Sequence, residues 1–278
     1  MVKSRQRLLL SLALLSSLLL AAYLPIVMLL LMSVRESASI YAHFWALPWP
    51  LHPANYAAAL TELLGPALNT LFICTTSVAG VLTLSTLAGY AFARLRFPGR
   101  SALFALVMIL MMVPGMLLLT PNYVLAMRLG LRDSYWSLWL FYVSSGQVVA
   151  IYLMRSFFAA LPEELFEAAR LAGASEWQCI WMIAIPLCRP ILVTVAITTM
   201  MTFYNDLIWP MLMINNPHRE TLMQALLRFV PSDRQATGRM DLGVVAAGYV
   251  FASIPIIAIF WIGMKSYVRG VLSGAVKG

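Results

Sequence analysis

The chain has 278 residues, of which 62% are hydrophobic and only 11% charged, and its formal charge is +8 at pH 7. A soluble domain averages about 45–50% apolar and about 25% charged residues. So little charge cannot clothe a water-soluble globule, which excludes a soluble domain, a disordered chain and a nucleic-acid-binding domain and leaves an integral membrane protein.

A helix that crosses a bilayer takes about 20 mostly apolar residues. Six such runs follow one another, at 8–34, 65–93, 101–127, 134–156, 190–214 and 242–264. They predict an all-α protein, one transmembrane domain of six spans, with both termini on one side. Lys3, Arg5 and Arg7 precede the first run as in a signal peptide. A signal core is only about 7–15 residues long, however, so an uncleaved first helix is expected.

Residues 35–64 are expected to form an external loop. Trp45 and Trp49 suit a membrane interface, and Pro48, Pro50 and Pro53 suit a fixed irregular path. Two readings stay open: a surface that meets an external partner, or a loop lying on the headgroups.

Six spans divide the remaining sequence between two sides. Twelve of the nineteen Lys and Arg lie at the N-terminus, at 94–100, at 155–189 and after 264; seven lie on the other side. The Lys/Arg excess puts the first side, and both termini, in the cytoplasm. Residues 265–278 are then a cytoplasmic tail.

The cytoplasmic segment 161–186 carries helix signals of its own. Pro162 fits a first turn, and Glu163 and Glu164 suit the positive end of the helix dipole. Leu161, Leu165, Ala168 and Ala172 share one face; Glu163, Glu167 and Arg170 share another. Gly173 is placed to end the helix in a left-handed conformation. Ser175 and Gln178 have capping-box spacing for a second helix, which Pro186 ends or kinks. A short helix with exposed Ala and Leu gains little alone and is better explained as an element that enters a partner's groove. The alternative, a helix lying on the bilayer, suffers from its acidic first turn, because the inner leaflet is negative.

The fifth run holds the ionisable group Asp206. Thr194, Thr198, Thr202, Asn205 and Trp209 form a polar stripe at helical spacing beside it. At about 1.5 Å per residue Asp206 lies roughly 24 Å from Pro190, in the outer half of the membrane. Charged groups in a span face a cavity or a partner. The stripe reads as a pathway wall or outer gate, with Asn205 or Asp206 bonding substrate hydroxyls. It reads equally as a helix contact, or as Asp206 reaching the outer interface. Cys74, Cys179 and Cys188 show no metal-ligand spacing and read as packing residues, and no metal site is expected.

Glu167-Ala168-Ala169, Gly173, Ile183, Ile185 and Pro186 carry the spacing E-A-A, three residues, G, nine residues, I, one residue, L-P, with Ile185 at the Leu position. This resembles the EAA loop of ATP-binding-cassette (ABC) importer permeases. Tyr90 to Arg94, Phe97-Pro98-Gly99, Asn205-Asp206 with Trp209-Pro210, and the tail 274–278 are similar to the sugar-type, maltose-like group. That group includes the maltose permease G subunit and the glycerol-3-phosphate permease E subunit.

The resemblance implies a type I ABC importer permease fold in a bacterial or archaeal cytoplasmic membrane. It implies ATPase coupling through Glu163, Glu164, Glu167, Ala168, Ala169, Arg170, Gly173, Ala174, Ile183 and Pro186. A translocation pathway past Thr198, Thr202, Asn205, Asp206 and Trp209 is expected. The implied partners are a second permease subunit in a heterodimer, two ATPase subunits holding ATP and Mg, and an extracytoplasmic binding protein. The cargo would be a carbohydrate or a related polyol or glycerol phosphate. The chain has no G-x-x-x-x-G-K-[S/T] phosphate loop, so it is expected to be a transport subunit without an ATPase site or cofactor of its own. The alternative is an ion-coupled secondary transporter that uses Asp206.

Overall fold

The structure, a computed structural model, describes residues 2–227 and 240–275. Arg228, Asp233, Arg234 and Arg239 of the segment expected to be the last external one, and residues 276–278 of the tail motif, lie outside them. The regular elements among the described residues are helical. They are α1 (Val2–Ser33), α2 (Ser37–Ala42), α3 (Ala54–Arg94), α4 (Arg100–Met111), α5 (Leu119–Arg128), α6 (Tyr135–Ala159) and α7 (Glu163–Leu171). These are followed by α8 (Glu176–Leu187), α9 (Arg189–Tyr204), α10 (Ile208–Met213) and α11 (Leu242–Ala275). Among the described residues four unbroken helices are long and apolar enough to cross a membrane, and two bent pairs raise that to as many as six.

The chain forms two compact units, 1–65 with 225–254 and 66–224 with 255–278. Helices α3 and α11 run through both, and each passes from one unit to the other at an internal proline, Pro66 or Pro255.

In the first unit a polar knot gathers four helix ends. Arg35, buried just beyond α1, donates to the carbonyls of Ser39 at 3.0 Å, His43 at 2.7 Å and Phe44 at 2.8 Å. Asn55 Nδ2 donates to the carbonyls of Ser33 at 3.0 Å and Arg35 at 2.8 Å. The Ser37 hydroxyl donates to the Asp241 carboxylate and accepts from the Gly243 N–H. Gly243 lies so close to the Arg35 carbonyl that a Cβ would sit 2.3 Å from it. The expected loop 35–64 is therefore much shorter. It contains α2, and α3 already begins at Ala54, in a run rich in Ala that favours helix although its hydropathy is modest.

Two expected spans are broken helices in the second unit. Residues 101–127 are divided at 112–114, and α4 and the segment Gly115–Arg128 meet at 98°. Pro114 has no N–H to donate and disfavours helical geometry at Val113, which ends α4. Residues 190–214 are divided at 205–207, between α9 and α10. The sixth run continues past 264: α11 is helical to Ala275, so most of the expected tail is helix.

Close contact between α3 and α6 depends on glycine. A Cβ on Gly89 would lie 2.5 Å from Met154 Cβ and 3.0 Å from the Arg155 backbone nitrogen, and neither can give way cheaply. Gly65 has nothing within 4 Å of the same position. Gly89→Ala is expected to cost about 1–3 kcal/mol through overpacking. Gly65→Ala should be neutral or mildly stabilising. Thermal melts of the purified variants in detergent check both, and equal melting of the two would refute the close contact.

Candidate functional site

The segment 161–186 is capped at every end. Pro162 stands at the N-cap of α7, with Glu163 and Glu164 in the first turn. At the other end Gly173 has φ +88°, the left-handed region. Its N–H donates to the Arg170 carbonyl at 3.0 Å, and the Ala174 N–H donates to the Ala169 carbonyl at 2.9 Å, a Schellman arrangement. Ser175 and Gln178 form the reciprocal capping box: Gln178 N donates to Ser175 Oγ at 3.3 Å and Ser175 N to Gln178 Oε1 at 2.7 Å. The middle of α8, Cys179–Ala184, winds as a π-helix immediately before Pro186. The chain stays helical through Leu187 and turns by 79° into α9 at Cys188, two residues later than Pro186 led us to expect.

The chain attaches α7 through Phe166, a residue that the apolar spacing did not mark. Phe166 is the residue with 0% exposure, while Leu165, Ala168 and Ala172 face outward and Leu171 is 90% exposed. The Phe166 ring lies 6.1 Å from that of Tyr90, and the Arg94 guanidinium sits 4.4 Å from its centroid. The same guanidinium donates to the Phe158 carbonyl at 2.6 Å and to that of Leu161, satisfying acceptors at the C-terminal end of α6. The Tyr90 hydroxyl donates to Glu176 Oε2 at 2.6 Å, and Arg170 Nε donates to Glu176 Oε1 at 2.8 Å. Arg170, which the resemblance implies takes part in ATPase coupling, is thus bonded within the chain.

Magnitudes rank these contacts. Truncating a buried Phe costs about 3–5 kcal/mol. The Arg170–Glu176 pair, each side chain more than a third exposed, contributes about 0.2–1 kcal/mol. Phe166 therefore anchors the loop and the ion pair trims it. Glu163, Glu164, Glu167 and Ala168 remain exposed, Ala169, Ala174 and Ile183 are half-buried, and Pro186 is exposed.

The polar stripe of the fifth run turns inward on itself. Thr194, Thr198 and Thr202 each donate to the carbonyl four residues back, at 2.9 Å in every case, and Asn205 Nδ2 does the same to Met201 at 2.7 Å. Asp206 closes the break between α9 and α10. Its Oδ1 accepts from the Ile208 N–H at 3.1 Å and the Trp209 N–H at 3.5 Å, and its Oδ2 from the Tyr142 hydroxyl at 3.0 Å. Trp209 is buried rather than exposed along a path; its Nε1 donates to the Ser137 carbonyl at 3.1 Å, and it stacks on Phe141 at 4.2 Å. A cleft of about 400 Å³ opens beside this break, lined by residues including Met116, Tyr142, Ser145, Thr202 and Asp206. Asp206 and Thr202 border it, while Asn205 and Thr198 are not among its lining residues.

Just before α6, Asp133 clamps the loop after α10. Its Oδ1 accepts from the N–H of Asn215 at 2.5 Å and of Asn216 at 3.0 Å, and these donors hold its carboxyl below the usual carboxylate range. Among the described residues no three His, Cys, Asp or Glu side chains gather as metal ligands.

Residues 82–272, which contain this loop and the broken fifth run, match the family described as "Binding-protein-dependent transport system inner membrane component". The chain belongs to this family. It is a multi-pass membrane protein and a permease component. It is 34% identical over 210 residues to the maltodextrin transport system permease protein MdxG of Bacillus subtilis (strain 168), covering 76% of this chain and 74% of that one. It is 32% identical over 223 residues to the trehalose transport system permease protein SugB of Mycobacterium tuberculosis (strain CDC 1551 / Oshkosh), covering 80% and 78%. In structure it resembles a chain of a bacterial ABC transporter involved in the import of the acidic polysaccharide alginate, with a TM-score of 0.85, 23% identity and coverage of 95% and 97%. This permease therefore has the type I ABC importer permease fold.

Phe166, Glu176 and Tyr142 carry no marker of their own in the linear sequence, and Tyr90 and Arg94 stood out only as part of the family resemblance. Phe166→Ala is expected to loosen the loop by about 3–5 kcal/mol. Tyr90→Phe, which deletes one hydrogen bond to a carboxylate, should cost about 1.5–3 kcal/mol. Hydrogen exchange of residues 161–187 in the purified protein checks both, and protection that stays at the wild-type level in Phe166→Ala would overturn the anchoring role.

Proposed function

We propose that this permease is one of two membrane subunits of an ATP-driven importer that carries a carbohydrate, or a related polyol or glycerol phosphate, across the cytoplasmic membrane by alternating access. ATP and Mg belong to two ATPase subunits, and the chain itself takes no cofactor. An extracytoplasmic binding protein delivers the cargo, as in the solved complex of the alginate transporter with an alginate pentasaccharide-bound periplasmic protein, to whose chain this one is similar with a TM-score of 0.62. The carbohydrate class is supported by the relatives, named for maltodextrin, trehalose and galactooligosaccharides.

One observation carries the coupling step. The loop 161–186 turns Glu167, Ala168 and Leu171 outward while Phe166 and Glu176 bind it to α3. An element exposed on one face and clamped to a span on the other is suited to pass a partner's movement to that span. The exposed apolar side of α7 fits a groove, and its acidic rim sets register. Asp206, by contrast, has both oxygens engaged as acceptors within the chain, so no observation favours ion coupling.

Glu167→Lys and Gly173→Val are expected to abolish uptake while the protein still inserts. The first reverses a charge on the outward face. The second places a β-branched residue at positive φ, which costs about 1–2 kcal/mol and distorts the turn. Uptake of labelled oligosaccharide by cells, set against the amount of permease in the membrane, checks this, and wild-type uptake would sink the reading. Co-purification then identifies the ATPase and the binding protein.

A further inference from the structure

Between Glu36 and Glu62 the chain has no Lys, Arg, Asp or Glu. Within that stretch Trp45 is 75% exposed, Leu47 79% and Trp49 85%, with Leu51 also exposed. We propose that the segment 44–52 is an interfacial anchor that lays Trp45, Leu47 and Trp49 into the headgroup layer of the outer leaflet. The partner is the lipid surface itself.

The argument is first one of reach. Leu10–Ser33 of α1 is apolar, 24 residues long and has no buried share. At about 1.5 Å per residue it measures roughly 36 Å, enough to cross a hydrocarbon core of about 30 Å. Ser33 therefore sits at or just past the boundary. Both ends of the following segment are tied back to that point. Arg35 holds the Phe44 carbonyl at 2.8 Å, and the His52 N–H donates to the Val34 carbonyl at 2.8 Å. Trp45 is one residue from a tether and Trp49 three, so even fully extended they reach about 4 Å and about 11 Å from it. The real path is shorter, because the Ala46 N–H bonds back to His43 and the Trp49 N–H to Leu47. The headgroup band is about 5–8 Å deep on each side of the core. The tethers thus keep these side chains close to that depth.

Chemistry makes the same choice. Trp combines a large apolar ring with one N–H donor, which is why it gathers at membrane–water interfaces. A protein docking surface of this size normally carries a charged or polar rim. Here 44–51 carries no charged side chain, and the polar His43 and His52 flank it only at its tethered ends.

The full chain is reconstituted in phosphatidylcholine vesicles as Trp45→Cys or Trp49→Cys, each carrying a nitroxide label. Both positions are exposed, so the fold tolerates the change. The expected result is collision with a water-soluble nickel chelate severalfold below that of the same label on an unfolded peptide in buffer, together with raised collision with oxygen. Chelate collision at the free-peptide level would overturn the proposal. So would protection that appears only when the other transporter proteins are added, which would assign the segment to a protein partner. As an independent readout, Trp45→Phe/Trp49→Phe should lose a fraction of the tryptophan emission that brominated phosphatidylcholine quenches in the unaltered chain. No loss would overturn the proposal equally. None of these measurements depends on the cargo or on the coupling loop.

Discussion

A bilayer core offers no water to a backbone N–H or C=O, so every interruption of a helix must be satisfied by the protein itself. That constraint explains the positions of this permease's polar side chains better than any search for substrate contacts. The break after Tyr204 frees the first N–H groups of α10, and Asp206 accepts from two of them. The charge sits where donors point at it, and Tyr142 adds a third. The threonines of α9 obey the same rule from the other direction. The hydroxyls of Thr194, Thr198 and Thr202 each find a carbonyl in their own helix, so none of these three needs a polar partner on a neighbouring helix.

The consequence for the site is a division of labour. The break beside Asp206 makes the cleft, and the cap makes the break tolerable. The stripe, read either as a pathway wall or as a helix contact, consists of a helix end, a capped interruption and a short second helix. Three of the five expected pathway residues, Thr202, Asp206 and Trp209, border the cleft, and Trp209 also packs against Phe141.

The linear sequence was legible where one residue type has one physical meaning. Glycine at 173 meant positive φ, and Ser175 with Gln178 meant a capping box; both signals are local and survive any tertiary context. The apolar runs were legible as lengths. They were not legible as shapes, because hydropathy measures transfer into lipid and is blind to where a helix starts or bends. It missed the Ala-rich beginning of α3 at Ala54. It carried the third run across Pro114, although a proline in mid-run is a breaker by chemistry rather than by polarity. Phe166 was missed for another reason. Helical spacing on α7 pointed to the leucine and alanine face, and spacing alone cannot tell a face that packs on its own chain from one kept for a partner. Only the placement of Tyr90 and Arg94 on α3 decides between them.

Arg94 links the charge pattern of the chain to the anchoring of the loop 161–186. Its positive charge belongs to the Lys/Arg excess from which the cytoplasmic side is expected. Its planar fork also reaches the Phe158 and Leu161 carbonyls, and its face covers Phe166. Arg100 repeats the pattern on α3, donating to the carbonyls of Leu95 and Ala93. Both helices end on the basic side, where their dipoles leave partial negative charge. A lysine at 94 would keep the charge that orients the chain. It would lose the two-pronged contact and the stacked face, because an ammonium is a compact point charge. The side of the membrane would be unchanged, while the loop that carries Glu167 would be held by Phe166 and Glu176 alone.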